Sequence, residues 1–185
     1  NYSNAITEEK SYSGLQISEV KPIMKLIVRG KKREFLSAVG KSLNLILPAE
    51  ANTFTKSDKL TALWLSPDEW MIFSNEFSNI DSNDYETENL LNKNITKTNL
   101  GAVTNVTDQF VLINLKGDKI YELFETGSPF NFNDFRKKRG SVTQTILAKI
   151  DVIIQNESLN DVNLFVRRSF SQHLFSWIND SASRL

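Results

Sequence analysis

Residues 61–73 read TALWLSPDEWMIF, and this stretch is the strongest indication of fold class in the chain. Two mostly apolar runs, residues 61–65 and 69–73, are separated by Ser66-Pro67-Asp68. Short runs rich in apolar and aromatic side chains are typical of β-strands, and proline followed by aspartate is typical of a turn. The stretch therefore predicts an antiparallel β-hairpin.

Strand and helix patterns alternate on both sides of this hairpin. Upstream, residues 22–29 predict a strand and residues 31–40 a helix. Downstream, residues 110–115 predict a strand and residues 119–125 a helix, followed by a loop over residues 129–140. The remaining predicted elements are a helix at 85–95, strands at 101–107, 141–149, 152–155 and 162–167, and a last helix at 169–180 with Ser169 as its N-cap.

The two halves of the chain repeat one order of elements. Gly30 and Gly40 flank the helix of the first half, and Gly117 and Gly127 flank that of the second half at the same spacing. A repeated pattern of this kind favours an internal duplication. Strands that form hairpins and carry helices to one side favour an α+β fold with mixed, largely antiparallel sheets.

The predicted organisation follows from this repeat. The polar start, residues 1–13, predicts a flexible arm. Residues 14–100 predict a first small α+β lobe and residues 101–185 a second one, each with helices on one face of its sheet. No stretch rich in proline, glycine and serine separates the lobes, so we expect them to pack together as one compact unit.

Charge and composition narrow the classes of partner. The chain has 185 residues, with 22 basic and 22 acidic side chains and a net charge of zero. A neutral chain has no overall field to attract nucleic acid or an anionic membrane, so neither partner is expected. No apolar run approaches the ~20 residues that span a bilayer. The absence of cysteine fits a reducing compartment, and we expect a cytoplasmic protein.

Residues with catalytic or metal-binding chemistry are sparse in the sequence. The chain has one histidine, His173, and it lies on the predicted last helix with no orienting carboxylate or nucleophile near it in sequence. The acidic stretch 81–88 lacks the glycine and ligand spacing of a calcium loop. No glycine-rich phosphate loop follows any predicted strand. We therefore expect no catalytic, cofactor-binding or metal-binding residue in this chain.

The stretch FNFNDFRKKR at residues 130–139 is the candidate functional segment. Its three phenylalanines either form an exposed apolar patch that marks a partner surface or are buried and cap the second lobe. Its four consecutive basic residues suit an acidic partner surface better than nucleic acid, given the zero net charge. The candidate partner-interface residues are Phe130, Phe132, Phe135, Arg136, Lys137, Lys138 and Arg139.

Four segments, in order, match motifs of a known family. Residues 64–70 (WLSPDEW) are similar to a Leu-Gly-Pro-Asp-Glu-Trp hairpin, with Ser66 in place of the glycine. Residues 106–117 resemble a strand that enters a helix through a glycine. Residues 140–148 (GSVTQTILA) resemble a Cys-Ala-Gln-Thr-x-Leu-Ala motif, and residues 165–170 (FVRRSF) a terminal Arg-Ser-Phe. Together they resemble the gamma-subunit family of heterotetrameric sarcosine oxidase.

This resemblance implies a fold and a role. The implied fold is part of the folate-binding domain of the glycine-cleavage T-protein, with a ferredoxin-like plait in one lobe. The implied role is a non-catalytic gamma-type subunit that supports assembly with alpha, beta and delta subunits. Those partners would carry FAD, FMN, NAD and tetrahydrofolate, with no cofactor in this chain, and the complex would oxidatively demethylate sarcosine to glycine in one-carbon metabolism.

A second interpretation stays open. Relatives of the same fold include aminomethyltransferases, so the chain could be a stand-alone folate-binding or one-carbon-binding protein. That function requires a pocket with a carboxylate to hold the pterin. The acidic residues near the motif positions are Asp68, Glu69 and Asp108, and the first two also suit a turn.

Overall fold

A computed structural model of the chain describes residues 6–20, 22–75 and 84–185. The strands are β1 (Ile6–Tyr12), β2 (Leu15–Val20), β3 (Lys25–Arg29), β4 (Phe54–Lys56), β5 (Leu60–Ser66), β6 (Glu69–Ser74), β7 (Ala102–Asn105), β8 (Phe110–Lys116), β9 (Val142–Leu147), β10 (Ile150–Ser158) and β11 (Asp161–Arg167). The helices are α1 (Arg33–Leu43), α2 (Asp84–Leu91), α3 (Ile120–Glu125), α4 (Asn133–Lys137) and α5 (Arg168–Ala182), and a π-helical turn (Asn92–Thr96) continues α2.

The chain divides into two compact units. Unit 1 combines Asn1–Pro22 with Asp108–Leu185, and unit 2 is Ile23–Thr107. Each unit contains one sheet with its own helices and its own apolar core. Every described strand pairing is antiparallel, so the predicted α+β class with largely antiparallel sheets is confirmed.

Unit 2 contains the predicted hairpin. Strands β5 and β6 pair across the Pro67-Asp68 turn, with Trp64 opposite Trp70. The five-stranded sheet has the order β4-β5-β6-β3-β7. Strands β3, β5, β6 and β7, with α1 after β3 and α2 after β6, form the βαββαβ order of a ferredoxin-like plait. This confirms the plait that the sequence resemblance implies.

Helices cover one face of the sheet in unit 2. The strand side of the core contains Leu26, Val28 and Ile72, and the helical side contains Phe35 of α1 and Ile95 of the π-helical turn. Trp70 is 3% exposed in this core, and its indole N–H donates to the Pro48 carbonyl at 2.8 Å. Burial of these apolar side chains is the main stabilising contribution to the unit.

Unit 1 repeats the plait in a permuted form. Its six-stranded sheet has the order β1-β2-β8-β11-β10-β9. Strands β8, β10 and β11, with α3 after β8 and α5 after β11, match the first three strands of the plait in unit 2. The fourth position, beside β8, is taken by β2 from the start of the chain. Helices α3, α4 and α5 contribute to one core with the sheet.

The expected arm and lobe boundaries differ from those observed. Residues 6–12 of the arm form β1, and β2 pairs with β8, as in Ser18 opposite Asn114. Leu15 and Ile17 of β2 are buried in the core of unit 1, because alternate side chains of a strand share one face. The first lobe therefore begins after residue 22, and the start of the chain joins the second lobe. Residues 1–5 and most of the polar stretch 76–84 lie outside the described residues.

Two local predictions on the second half are corrected. The loop predicted at residues 129–140 contains the short helix α4. The last helix begins at Arg168, with Arg167 as its N-cap residue and no capping bond from that side chain. Arg168 N–H donates instead to the backbone carbonyl of Gln109 at 2.9 Å. This tertiary contact supplies an acceptor for a free N–H at the helix start, the role that was expected of the Ser169 side chain.

A row of amide side chains crosses the sheet of unit 1. Asn114, Asn163 and Gln155 lie directly opposite one another on β8, β11 and β10, and all three are buried. Asn114 donates to Asn163 Oδ1 at 2.8 Å, and Asn163 donates to Gln155 Oε1 at 3.1 Å. Because these groups are buried, a shift in strand register would leave them unpaired, so the row favours one register.

Candidate partner interface

The phenylalanines of the candidate segment belong to an aromatic cluster in unit 1. Phe132 is 2% exposed and Phe135 is 6% exposed, whereas Phe130 is only partly buried. The ring centroids of Phe130 and Phe132 are 4.8 Å apart, and those of Phe132 and Phe135 are 5.8 Å apart. Of the two alternatives left open by the sequence, the buried one holds for Phe132 and Phe135. Both rings therefore support the segment from inside the unit.

Buried Asn156 fixes the end of α4 to the sheet. Its side-chain N–H groups donate to the carbonyls of Phe135 at 2.8 Å and Lys138 at 3.3 Å. The last carbonyls of a helix lack partners inside that helix, so these bonds hold the chain where the basic residues begin. No local sequence pattern indicates this role of Asn156, because its partners lie 18 and 21 positions away in the chain.

Arg136 lies against Tyr121, a residue that was not among the predicted site residues. Its guanidinium carbon is 5.0 Å from the centroid of the Tyr121 ring, an arrangement that favours the cation. Burial raises the pKa of Tyr121 to about 12, and the nearby Arg136 charge opposes this rise. Tyr121 therefore stays neutral at physiological pH. Its spacing from Phe124 on α3 was the available signal, since residues three apart share a helical face.

The remaining basic residues form an exposed surface. Lys137, Lys138 and Arg139 are exposed, while Arg136 is half-buried. Gly140 follows with a φ of 91°, which turns the chain into β9 and favours glycine at this position. The basic surface, defined here as Lys137, Lys138 and Arg139, thus lies on a segment anchored by buried aromatic rings. Such a surface is suited to bind an acidic partner surface.

The acidic residues near the motif positions have structural contacts in the fold. Ser66 Oγ donates to Asp68 in the β5–β6 turn at 2.8 Å. Glu69 forms an ion pair with Arg29, which lies opposite it on β3. Asp108 is exposed and lies 3.9 Å from Arg168. These contacts agree with the turn interpretation of Asp68 and Glu69.

A cavity of about 540 Å³ lies beside the sheet of unit 1. Its lining includes the acidic residue Asp151, the basic residue Arg167 and the aromatic residue Phe110. The Arg167 guanidinium carbon is 5.0 Å from the centroid of that ring. None of the seven candidate interface residues lines this cavity. It is therefore separate from the basic surface.

Other functional groups in the described residues are dispersed. His173 is exposed on α5. Among residues 6–20, 22–75 and 84–185, no group of three or more histidine, aspartate or glutamate side chains is placed to hold a metal ion. Within those same ranges, no helix has the length and apolar character needed to cross a membrane.

Comparison of folds gives two informative matches. The chain superposes on a chain of the heterotetrameric sarcosine oxidase from Corynebacterium sp. U-96, in complex with pyrrole 2-carboxylate, with a TM-score of 0.82 at 20% identity, covering 95% of this chain and 88% of that one. It matches the glycine cleavage system aminomethyltransferase T from Bartonella henselae with a TM-score of 0.62 at 13% identity, covering 94% of this chain and 54% of that one. At these identities the matches show the fold.

The sequence comparisons identify the family. No curated protein sequence gives a significant match. The sequence model of the sarcosine oxidase gamma subunit family matches residues 29–184, which is most of the chain. This match extends the resemblance, seen in four motifs from about residue 60, upstream to residue 29. The chain belongs to the sarcosine oxidase gamma subunit family.

Proposed function

We propose that this chain is a non-catalytic gamma-type subunit of a heterotetrameric sarcosine oxidase. Its role is to support assembly of the alpha, beta and delta subunits, which carry FAD, FMN, NAD and tetrahydrofolate and demethylate sarcosine to glycine in the cytoplasm. The observation that carries the proposal is the family match over residues 29–184. The fold shared with a chain of a heterotetrameric sarcosine oxidase supports it.

Within this proposal, the basic surface contacts an acidic surface of a partner subunit. Lys137, Lys138 and Arg139 are exposed, and the buried Phe132 and Phe135 hold the segment that carries them. A preformed cationic surface increases the rate of encounter with an anionic partner, and this effect weakens as salt is added. Phe130 is partly buried, and its ring centroid is 6.1 Å from that of Phe135 in the same segment, so its exposed part is included in the proposed interface.

The subunit role is tested by co-expression of this chain, carrying an affinity tag, with candidate alpha, beta and delta chains. We expect flavin-containing protein to be retained in a fixed stoichiometry, and the retained complex to oxidise sarcosine. His173→Ala is expected to leave that activity nearly unchanged, because His173 is exposed on α5. Recovery of this chain alone and colourless would contradict the proposal.

The basic surface is tested by charge reversal with a matched control. The variant Lys137→Glu/Lys138→Glu/Arg139→Glu is expected to slow association with the partner chains by about tenfold or more at low salt. The control is Lys31→Glu/Lys32→Glu/Arg33→Glu, which changes the net charge equally at three other exposed basic residues. Equal slowing by both variants would mean that net charge, and not this surface, governs association.

The folate-binding alternative has one observation in its favour. The cavity beside the unit 1 sheet brings Asp151, Arg167 and Phe110 together, a carboxylate, a cation and an aromatic ring. Its volume of about 540 Å³ is within the range of small-molecule sites. Calorimetry with tetrahydrofolate tests this alternative. Binding that is lost in Asp151→Asn would support a folate site in this chain. The absence of any heat of binding to the wild-type chain would exclude the alternative.

A further inference from the structure

Strands at the edge of a sheet have unpaired backbone groups, and three of the four edges here are protected. Edge strand β1 carries the exposed charges of Glu8, Glu9 and Lys10. Edge strand β4 has only three residues. Edge strand β7 has four residues, packs against α2 and the π-helical turn, and is tied to α2 by Asn105, whose side chain donates to Glu88 at 2.8 Å. Charge, shortness and cover are the usual protections against strand addition.

Strand β9, at the other edge of the unit 1 sheet, is protected by neither charge nor shortness. In the described part of the chain, the backbone bond beside it lies just past its end, from Ala148 N–H to the Gly127 carbonyl at 2.9 Å. Its six residues, VTQTIL, include no charged residue and no proline. Its pairing with β10 is continuous over six residue pairs, without a bulge. Ile146 is 43% exposed although it is a large apolar side chain. An uncharged, regular edge strand rich in β-branched residues is the kind that accepts another strand.

The hairpin geometry shows which backbone groups of β9 point outward. Leu147 and Ile150 flank a two-residue turn, which makes them a hydrogen-bonded pair. Hydrogen-bonded and non-hydrogen-bonded pairs alternate along an antiparallel ladder. Thr145 is therefore bonded to Val152, whereas the N–H and C=O of Ile146 point away from β10. Outward N–H and C=O groups therefore recur at every second residue of β9, which is the spacing that an added strand needs for pairing.

We propose that β9 is a docking edge that accepts an extended segment of a different subunit of the oxidase, paired as a seventh strand of the unit 1 sheet. This inference rests on the proposed subunit role and deepens it by naming the element that docks. Main-chain hydrogen bonds of this kind supply affinity, and alternate side chains supply specificity.

Charge and continuity indicate the composition of that segment. Arg139 lies three positions before β9, so the basic surface and the edge are consecutive in the chain. The docked segment is uncharged and rich in β-branched residues along β9, and it is acidic where it passes Lys137, Lys138 and Arg139. A second copy of this chain fits less well, because antiparallel pairing along β9 would place its basic residues at the opposite end of the strand. The basic surface of each chain would then lack an acidic partner.

Hydrogen exchange resolved to single amides tests the edge in the assembled complex. The amide of Ile146 is expected to exchange at least about tenfold more slowly in the complex than in the isolated chain, because it gains a hydrogen bond. The amide of Thr145 is the internal control. It is bonded to Val152 in both states, so its exchange is expected to change much less.

A pair of variants at one position separates the backbone from the side chain. Ile146→Pro removes the outward N–H, and proline is tolerated on an edge strand at a position whose N–H faces away from the sheet. Ile146→Ala shortens the side chain and keeps the N–H. We expect Ile146→Pro to bind the partner chains about tenfold more weakly than Ile146→Ala, with similar melting temperatures for the two isolated variants.

Each outcome decides the inference. The docking edge would be overturned if the Ile146 amide stays unprotected in the complex. It would also be overturned if Ile146→Pro and Ile146→Ala bind the partner chains with equal affinity. Either result would leave the subunit role intact. Failure of the wild-type chain to retain any flavin subunit would overturn both. Protection of the same amide in a dimer of this chain alone, detected by light scattering, would overturn the assignment to a different subunit. If the proline variant is unfolded, the exchange measurement on the wild-type complex decides the question alone.

Discussion

The two units have the same plait but complete it in different ways. In unit 2, β3, β5, β6 and β7 follow one another along one continuous segment. In unit 1, the position next to β8 is filled by β2, which precedes the whole of unit 2 in the chain. The comparison shows that one arrangement of strands can be built from differently connected segments, because a sheet needs a strand in that position and not a particular loop.

The glycines that suggested a duplication also differ between the units. A Cβ at Gly40 of α1 would meet only the Leu45 carbonyl oxygen, at 3.6 Å, an ordinary contact. A Cβ at Gly127 would lie 2.4 Å from the Trp177 ring. Equal spacing in sequence therefore does not mean an equal role. Gly127 allows α5 to approach the turn after α3, while Gly40 is an exchangeable helix residue.

The largest expected effect is in the hairpin of unit 2. Trp70→Ala is expected to lower the free energy of unfolding by about 3–5 kcal/mol, because it leaves a cavity in the core. Trp64, opposite it on β5, is only partly buried, and Trp64→Ala is expected to cost less than half as much. Chemical denaturation of both variants measures the difference. Equal losses would show that the two sides of this hairpin contribute alike.

The next test compares the two glycines directly. Gly127→Ala is expected to destabilise the protein by about 2–3 kcal/mol, because the added methyl overlaps the Trp177 ring. Gly40→Ala is expected to stabilise it by about 0.5–1 kcal/mol, since alanine is the better helix former. Thermal unfolding of both variants gives the two signs. A loss at both positions would restore the equivalence that their spacing suggests.

The amide row of unit 1 is the third point of comparison. Asn163→Ala is expected to cost about 2 kcal/mol, because it removes a partner from buried Asn114 and from buried Gln155. Asn105 in unit 2 is exposed, and Asn105→Ala is expected to cost under about 1 kcal/mol although it also removes a hydrogen bond. Urea unfolding measures both. Similar costs would mean that burial adds nothing to the row.

The smallest expected effect concerns one hairpin turn in each unit. Ala148 and Lys149, between β9 and β10, have positive φ values of 53° and 65°, which side chains disfavour. Lys149→Gly is expected to stabilise the protein by about 1 kcal/mol, because Lys149 is exposed and glycine adopts this φ without strain. The turn of unit 2 has no positive φ at Asp68, so Asp68→Gly is expected to destabilise. Differential scanning calorimetry compares the two substitutions.

Much of the fold could be predicted because its signals are local. Apolar runs and turn residues within 13 positions indicate the hairpin around Pro67-Asp68. Helices α1 and α3 follow from apolar side chains repeated at helical spacing. The basic surface was visible as consecutive charges. Each of these features depends on neighbours in sequence, which a pattern can contain.

The features that were missed depend on distant partners. Residues 6–20 form β1 and β2 because β8 lies beside β2, and nothing near them in sequence indicates that neighbour. Helix α4 has five residues, too few for a helical period to show. The Ala148-Lys149 turn lacks the asparagine and glycine that normally mark a two-residue hairpin. Asn156 was missed for the same reason as β2, since its partners come from another part of the chain.

The position of β2 has a consequence for how the protein is made. β2 leaves the ribosome about 90 residues before its partner β8, and at ordinary translation rates that interval is roughly 5–20 s. All of unit 2 is synthesised within this interval. The nascent chain can therefore complete the plait of unit 2 before β8 is available to pair with β2. Unit 2 is expected to fold first, and unit 1 is expected to fold last, when β8 and β11 emerge.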